Sequence, residues 1–207
     1  MSEEVLSLIK QAEDFKQEGN ARFKEQNFKG ALGSYHKVFC YVNGLSLPGE
    51  TNEASQYAEM MGKSASQGKT VPQDKAEDVK KLKQSTHLNM AACYLKIGQE
   101  RKCIDVCTKA LATSELSKAY FRRGQAHMEL RNLDEAKEDL EKARDLEPQD
   151  AAIEKELKRL KAAFSQHDAK EKKRYANMFS KMSKDNKEPS EDVKEKVEAN
   201  EDATEKA

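Results

Sequence analysis

The sequence predicts an all-α array of stacked helix pairs, and three observations carry that reading. Residues 118–148, KAYFRRGQAHMELRNLDEAKEDLEKARDLEP, hold two apolar stripes at helical spacing on either side of a short turn at Arg131-Asn132. Gly124, Ala136 and Ala143 are small, so two helix axes can approach closely there. The whole chain is lean in core material: 37% of its 207 residues are hydrophobic, 36% are charged and none is Trp. That composition suits a thin array with much surface better than one globular core.

Within 118–148, Tyr120, Gly124, His127 and Met128 share one helix face, and His127 occupies an aromatic core position. Leu133, Ala136, Leu140, Ala143 and Leu146 line the second helix, and Pro148 forbids its continuation. Neither helix can bury its stripe alone, so the unit needs stacked neighbours. That is the signature of a helical repeat of about 34 residues, of the tetratricopeptide (TPR) type. A first repeat spans about residues 12–43: a stripe leads through Ala12 and Phe15 to Gly19 and Phe23, the chain turns at Gln26-Asn27, and Ala31, Tyr35, Val38 and Phe39 follow. Gly19 takes the role of Gly124 and Ala31 that of Ala136.

Residues 44–73 are rich in Gly, Pro, Ser and Gln and read as a loop insertion. Repeat two spans about 74–115 and repeat three about 116–149. Ala31 to Cys103 is 72 positions, against 33 from Ala110 to Ala143, so repeat two is entered by a loop and an over-long helix. Asp150 can cap a last helix, about 150–182, whose Ile153, Leu157, Leu160 and Phe164 would cover the open end of repeat three. Tyr175, Met178, Phe179 and Met182 form a further cluster at i, i+3, i+4 and i+7, which could dock a partner, fold back or extend the helix. Residues 183–207 hold five Lys against nine Asp or Glu with few apolar residues, and are expected to be disordered.

Lys plus Arg and Asp plus Glu both number 37, so net charge gives no argument for nucleic acid or a membrane as partner. The start, MSEEVLSLIKQ, is acidic and resembles no targeting peptide. No apolar run approaches the ~20 residues that span a bilayer. Four Cys without paired spacing point to a reducing, cytoplasmic setting. Cys103 and Cys107 take the small stacking positions of a repeat helix, and no zinc-like spacing joins them to the four His, so no metal is expected. Nucleotide loops and nucleophile motifs are absent, which leaves no catalytic residue and no cofactor to propose.

In such an array the first helices of successive repeats line a groove, and their polar residues there are the informative ones. Lys16 and Asn20 are four apart, Asn89 precedes an apolar run, and Lys118 and Arg122 are again four apart. Any one of these cations alone is the ordinary solvated charge of a chain this polar. All five at groove positions of three repeats form a cradle for two close carboxylates, as at the free C-terminus of a peptide ending in Asp. Phe23, Leu95 and Gln125 would shape the groove beside it.

The five residues resemble the dicarboxylate clamp of TPR co-chaperones, and all five clamp positions match. FKQEGNARFKEQNF, HLNMAACYLKIGQ and KEKKRYANMFSKM resemble the TPR regions of the large immunophilins, and the insertion after YHKVFCYVNGLSLPGE resembles the tetratricopeptide repeat protein nine family. The likeness covers about residues 12–182 without the loop. It implies a monomeric, non-catalytic co-chaperone that binds the Glu-Glu-Val-Asp tail of a cytosolic heat-shock chaperone, the ninety-kilodalton class ahead of the seventy. The immunophilins carry a prolyl isomerase domain before their repeats, and the eleven residues before repeat one cannot supply it. Two departures from the pattern, Arg22 for an aromatic and Cys103 for Ala, are expected to lie away from the clamp. A scaffold for an internal peptide or folded partner, or a remnant of a TPR-containing isomerase, are the rival readings.

Overall fold

The computed structural model describes residues 2–43, 45–47 and 69–185. Along them run α1 (Ser2–Lys24), α2 (Phe28–Val42), β1 (Leu45–Ser46), β2 (Lys69–Thr70), α3 (Gln73–Lys96), α4 (Glu100–Leu111), α5 (Ser117–Glu129), α6 (Leu133–Leu146) and α7 (Ala151–Asp185). The described residues up to 160 pack as one unit and those from 161 to 185 as another. In the first unit α1 pairs with α2, α3 with α4 and α5 with α6, and neighbouring pairs stack.

The three pairs turn by one device. The N–H groups of Asn27, Gln99 and Asn132 reach back to the carbonyls of Arg22, Tyr94 and His127 at 2.9, 2.9 and 3.0 Å. Such a bond, closing the last helical turn, requires a left-handed residue just before its donor. Gln26 (φ 62°), Gly98 (φ 67°) and Arg131 (φ 65°) fill that position. Asn132 is therefore not the residue that bends the third turn, at Arg131-Asn132. Its φ is −81° and it starts α6 without a side-chain cap, whereas Asn27 Oδ1 accepts the Gly30 N–H at 2.9 Å.

The insertion is tied down at both ends, which its polar composition hides. Leu45 pairs with Lys69 and Ser46 with Thr70 in a two-residue parallel ladder. Leu45, Leu47 and Val71 are buried in one cluster with Val5, Ile9 and Val79. The loop expected over 44–73 is corrected there: three apolar residues suffice to anchor the ends, and α3 already begins at Gln73. Its interior, 48–68, lies outside the described residues. α3 is the expected over-long helix, at 24 residues; its first half (Ala76, Val79, Leu82) packs in the insertion's cluster, and its second half (Met90, Ala91, Tyr94) in the next one.

At the far end of the first unit, Asp150 Oδ1 accepts the Ala152 N–H at 2.7 Å, as its position suggested. Ile153 is buried against Tyr120 and Ala143, Leu157 packs beside them, and Leu160 is buried as well. Phe164 falls in the second unit, whose described part is the continuation of α7 over 161–185. Tyr175, Met178, Phe179 and Met182 are exposed there. Residues 183–185, expected to be disordered, are helical; 186–207 lie outside the described residues.

Repeat three is held by an ion pair that crosses its two helices. Arg123 donates from Nε and Nη2 to the two carboxylate oxygens of Asp139 at 2.8 and 2.7 Å, and Asp139 is only 4% exposed. The Arg123 guanidinium also lies 5.5 Å from the Tyr120 ring centre.

These features set the stability of three variants. Arg131→Gly relieves a left-handed side-chain residue, at about 1–2 kcal/mol, against an added unfolded-state entropy of about 0.5–1 kcal/mol, so a urea melt should show a net gain. Gly98→Ala should lose stability for the same reason with the sign reversed. Arg123→Ala strands a buried carboxylate and should cost about 3 kcal/mol or more, the larger of the two losses.

Candidate functional site

The groove is built by α1, α3 and α5, and its centre is a hydrogen-bonded node. Tyr35 on α2 is 1% exposed, yet its hydroxyl donates to Asn20 Oδ1 on α1 at 2.8 Å. Asn89 Nδ2 on α3 donates to the same oxygen at 2.9 Å. Burial pushes the Tyr35 hydroxyl up to about 12, so it stays a donor at neutral pH. With Oδ1 doubly engaged, the Asn20 amide group presents its Nδ2 hydrogens as donors.

Arg122 on α5 is half-buried, and its Nη1 donates to the Leu88 carbonyl at 2.7 Å. Desolvation lowers its pKa, the expected direction for a cation partly removed from water. A guanidinium stays charged regardless, and it has five N–H donors, so further ones remain for an anion. Lys16 is also lowered by burial, with Glu13 opposing the shift.

Three adjoining hollows make up the groove. Asn20, Phe23, Lys24, Tyr35, Asn89, Ala92 and Arg122 line a pocket of about 300 Å³. A larger one of about 700 Å³ shares Asn20 and adds Lys16, Glu13, Asp78 and Lys81. A third, about 440 Å³, shares Ala92 and Arg122 and adds Leu95, Gln125, Glu129 and Arg159. Glu129 and Arg159 pair at 2.6 Å on its rim.

Asn20, Asn89 and Arg122 thus share one pocket with Phe23, and Lys16 joins through the wall at Asn20. Leu95 and Gln125 lie on the other side of Arg122. Lys118 is exposed, four residues ahead of Arg122 on α5, and lines none of these three hollows. Cys103 is closer to this centre than expected, since its Sγ donates to the Arg122 carbonyl at 3.7 Å. Arg22 is bound elsewhere, to Glu18 at 2.6 Å and the Gly30 carbonyl at 3.2 Å. Tyr35 was not legible as a site residue: it sits on a stacking face, and only its hydroxyl reaches the groove.

An array of helix pairs with a polar groove along the first helices defines the class, a tetratricopeptide repeat array. Residues 117–150 match the tetratricopeptide repeat family model. Over 86% of its length the chain is 32% identical to mouse peptidyl-prolyl cis-trans isomerase FKBP4, covering 34% of that protein. The chain thus spans about a third of the length of the curated relatives it matches. The yeast Hsp90 co-chaperone Cns1 is similar at TM-score 0.61 and 25% identity, over 83% of this chain and 45% of that one. The first TPR domain of Spaghetti (RPAP3), solved with the HSP90 peptide SRMEEVD, shares the fold at TM-score 0.55 and 23% identity, over 76% and 95%.

Tyr35→Phe removes one of the two donors that hold Asn20. It should lower stability by about 1 kcal/mol in a urea melt, with helix content unchanged. An unchanged midpoint would show that the node does not brace the groove.

Proposed function

We propose that the groove grips the C-terminal tail of a heat-shock chaperone ending Glu-Glu-Val-Asp, of the ninety-kilodalton class ahead of the seventy. The observation that carries this reading is the single pocket that gathers Asn20, Asn89 and Arg122, with Lys16 beyond the wall at Asn20. Its donors stand in a small, mostly apolar hollow where two carboxylates of one terminal Asp would each find a charge-assisted partner. Lys118, exposed four residues ahead of Arg122, would reach the same anion from α5. The likeness to Cns1 supports the co-chaperone part of the reading. On it the chain is a monomeric cytoplasmic adaptor that acts by binding and catalyses nothing, so a proline-isomerisation assay should show no turnover.

A peptide ending Glu-Glu-Val-Asp should bind at roughly micromolar strength, about −8 kcal/mol. Arg122→Ala and Asn89→Ala should each weaken it by ~1.5–3 kcal/mol. Lys118→Ala should cost less because the side chain is exposed, whereas Lys118→Glu sets a like charge against the ligand. Amidating the peptide's C-terminus should nearly abolish binding. Equal binding of amidated and free-acid peptides would replace this reading by a scaffold for internal peptides.

The pH profile has a defined sign. Lys16 must be protonated to hold a carboxylate, and its pKa lies below the usual 10.5. Affinity should therefore be flat through neutrality and fall as pH rises through that lowered value, earlier than for an ordinary lysine. On the acid side it should fall near pH ~4, where the peptide's own carboxylates take up protons. Lys16→Arg should move the alkaline limb upward and leave the acid limb in place.

A further inference from the structure

α3 has two working faces. Asn89 and Ala92 look into the groove. His87, Met90 and Tyr94 lie two positions from one or other of them, about 200° round the helix. On that opposite side α2, α3 and α4 enclose a pocket of about 510 Å³ that shares no residue with the three groove hollows. That volume falls within the range of small-molecule sites.

Its lining is charged in one sense. Lys83, Lys102 and Lys109 face it with Asp105 as the only carboxylate, which leaves two positive charges in surplus. Among the described residues, none of the three lysines makes an ion pair. The rest of the wall mixes rings and apolar side chains with the polar Asn43 and His36. Phe39 stacks on His87 with ring centres 4.4 Å apart, and Met90 and Val106 are buried beside them. Tyr94 carries Lys102 over its ring at 5.9 Å and meets His36 Nε2 through its hydroxyl at 3.3 Å.

We propose that this pocket is a second ligand site, on the face of α3 opposite the groove, and that it takes a phosphate monoester carried on a flat ring. Two surplus charges call for a dianion, and a phosphate monoester supplies about −1.5 to −2 at neutral pH, where a single carboxylate supplies half of that. Lysines bind phosphate as mobile point charges, and the stacked Phe39 and His87 offer a surface for the ring. His87 adds no charge of its own. Burial first, then Lys109 and Lys83, pull it down to about 4, so it is neutral near pH 7.

The test uses the full chain and three probes: phenyl phosphate, inorganic phosphate and phenylacetate, followed through the Met90 methyl and His87 ring signals. Phenyl phosphate should saturate and bind about tenfold or more tightly than either of the others. It should also raise the His87 titration midpoint, because a bound dianion offsets Lys83 and Lys109. Replacing Lys83→Gln and Lys109→Gln together should weaken it about tenfold, while a Glu-Glu-Val-Asp peptide keeps its affinity within about twofold. Lys102→Gln, at an exposed position, gives a second variant that should fold whatever becomes of the double one, and it too should weaken the probe. A phosphotyrosine peptide that binds more tightly than phenyl phosphate assigns a protein-borne ligand, and one that binds less tightly assigns a free small molecule; both keep the site. Equal binding of the three probes, or phenyl phosphate affinity indifferent to all the charge-removing variants, overturns the proposal.

Discussion

A methyl group at Gly19 would stand 2.4 Å from Cε1 of Tyr35, closer than any side chain tolerates. The missing side chain lets the Tyr35 ring lie directly against α1, buried except for the end that reaches Asn20. The groove geometry hangs on that approach. Tyr35 holds Asn20, the same oxygen holds Asn89, and so α1, α2 and α3 are linked at one atom. Repeat three shows the same packing without the polar consequence: a methyl at Gly124 would meet Leu140 Cγ at 2.9 Å, and no hydroxyl follows from it. One packing rule thus serves stacking in one repeat and site assembly in another.

The helix pairs were legible because they follow from periodicity, which is a local property of the chain. The small positions Ala31, Ala136, Ala143, Cys103 and Cys107 are all fully buried, as their role required. What escaped is non-local or contradicts local propensity. Nothing in a glutamine or an arginine announces a left-handed backbone, and Gln26 and Arg131 take it only because the helix end must be closed there. The ladder at Leu45 and Lys69 is two residues long, too short for any alternation to show. The Arg123–Asp139 pair joins residues sixteen apart on different helices, and in a chain with 36% charge no rule selects it from the other possible pairs.

Part of the candidate site's geometry was legible to a similar depth. Asn20, Asn89 and Arg122 could be placed because they occupy groove positions of a repeat, and the fold brings them to one pocket. Tyr35 could not be, since its ring belongs to the core and only its oxygen belongs to the site. The basic pocket behind α3 is invisible in sequence for a related reason. Lys83, Lys102 and Lys109 come from two helices and are scattered among many solvated lysines, and only the packing of α2 over α3 and α4 gathers them.

The cations of the groove are not equivalent, and burial decides their order. Arg122 is half-buried and already holds the Leu88 carbonyl, so its planar group is oriented before any ligand arrives. It has lost part of its hydration in the free protein, which is the direction its lowered pKa reports. An anion meeting it therefore gains a charge-assisted bond without the full cost of ordering or drying the partner. Lys118 is exposed and has both costs ahead of it. On the proposed reading Arg122 would set where an anion sits, and Lys118 would add attraction that water and salt largely screen. The hydrogen-bond node does for the two carboxamides what Leu88 does for Arg122, which makes a pre-arranged set of donors on α1, α3 and α5.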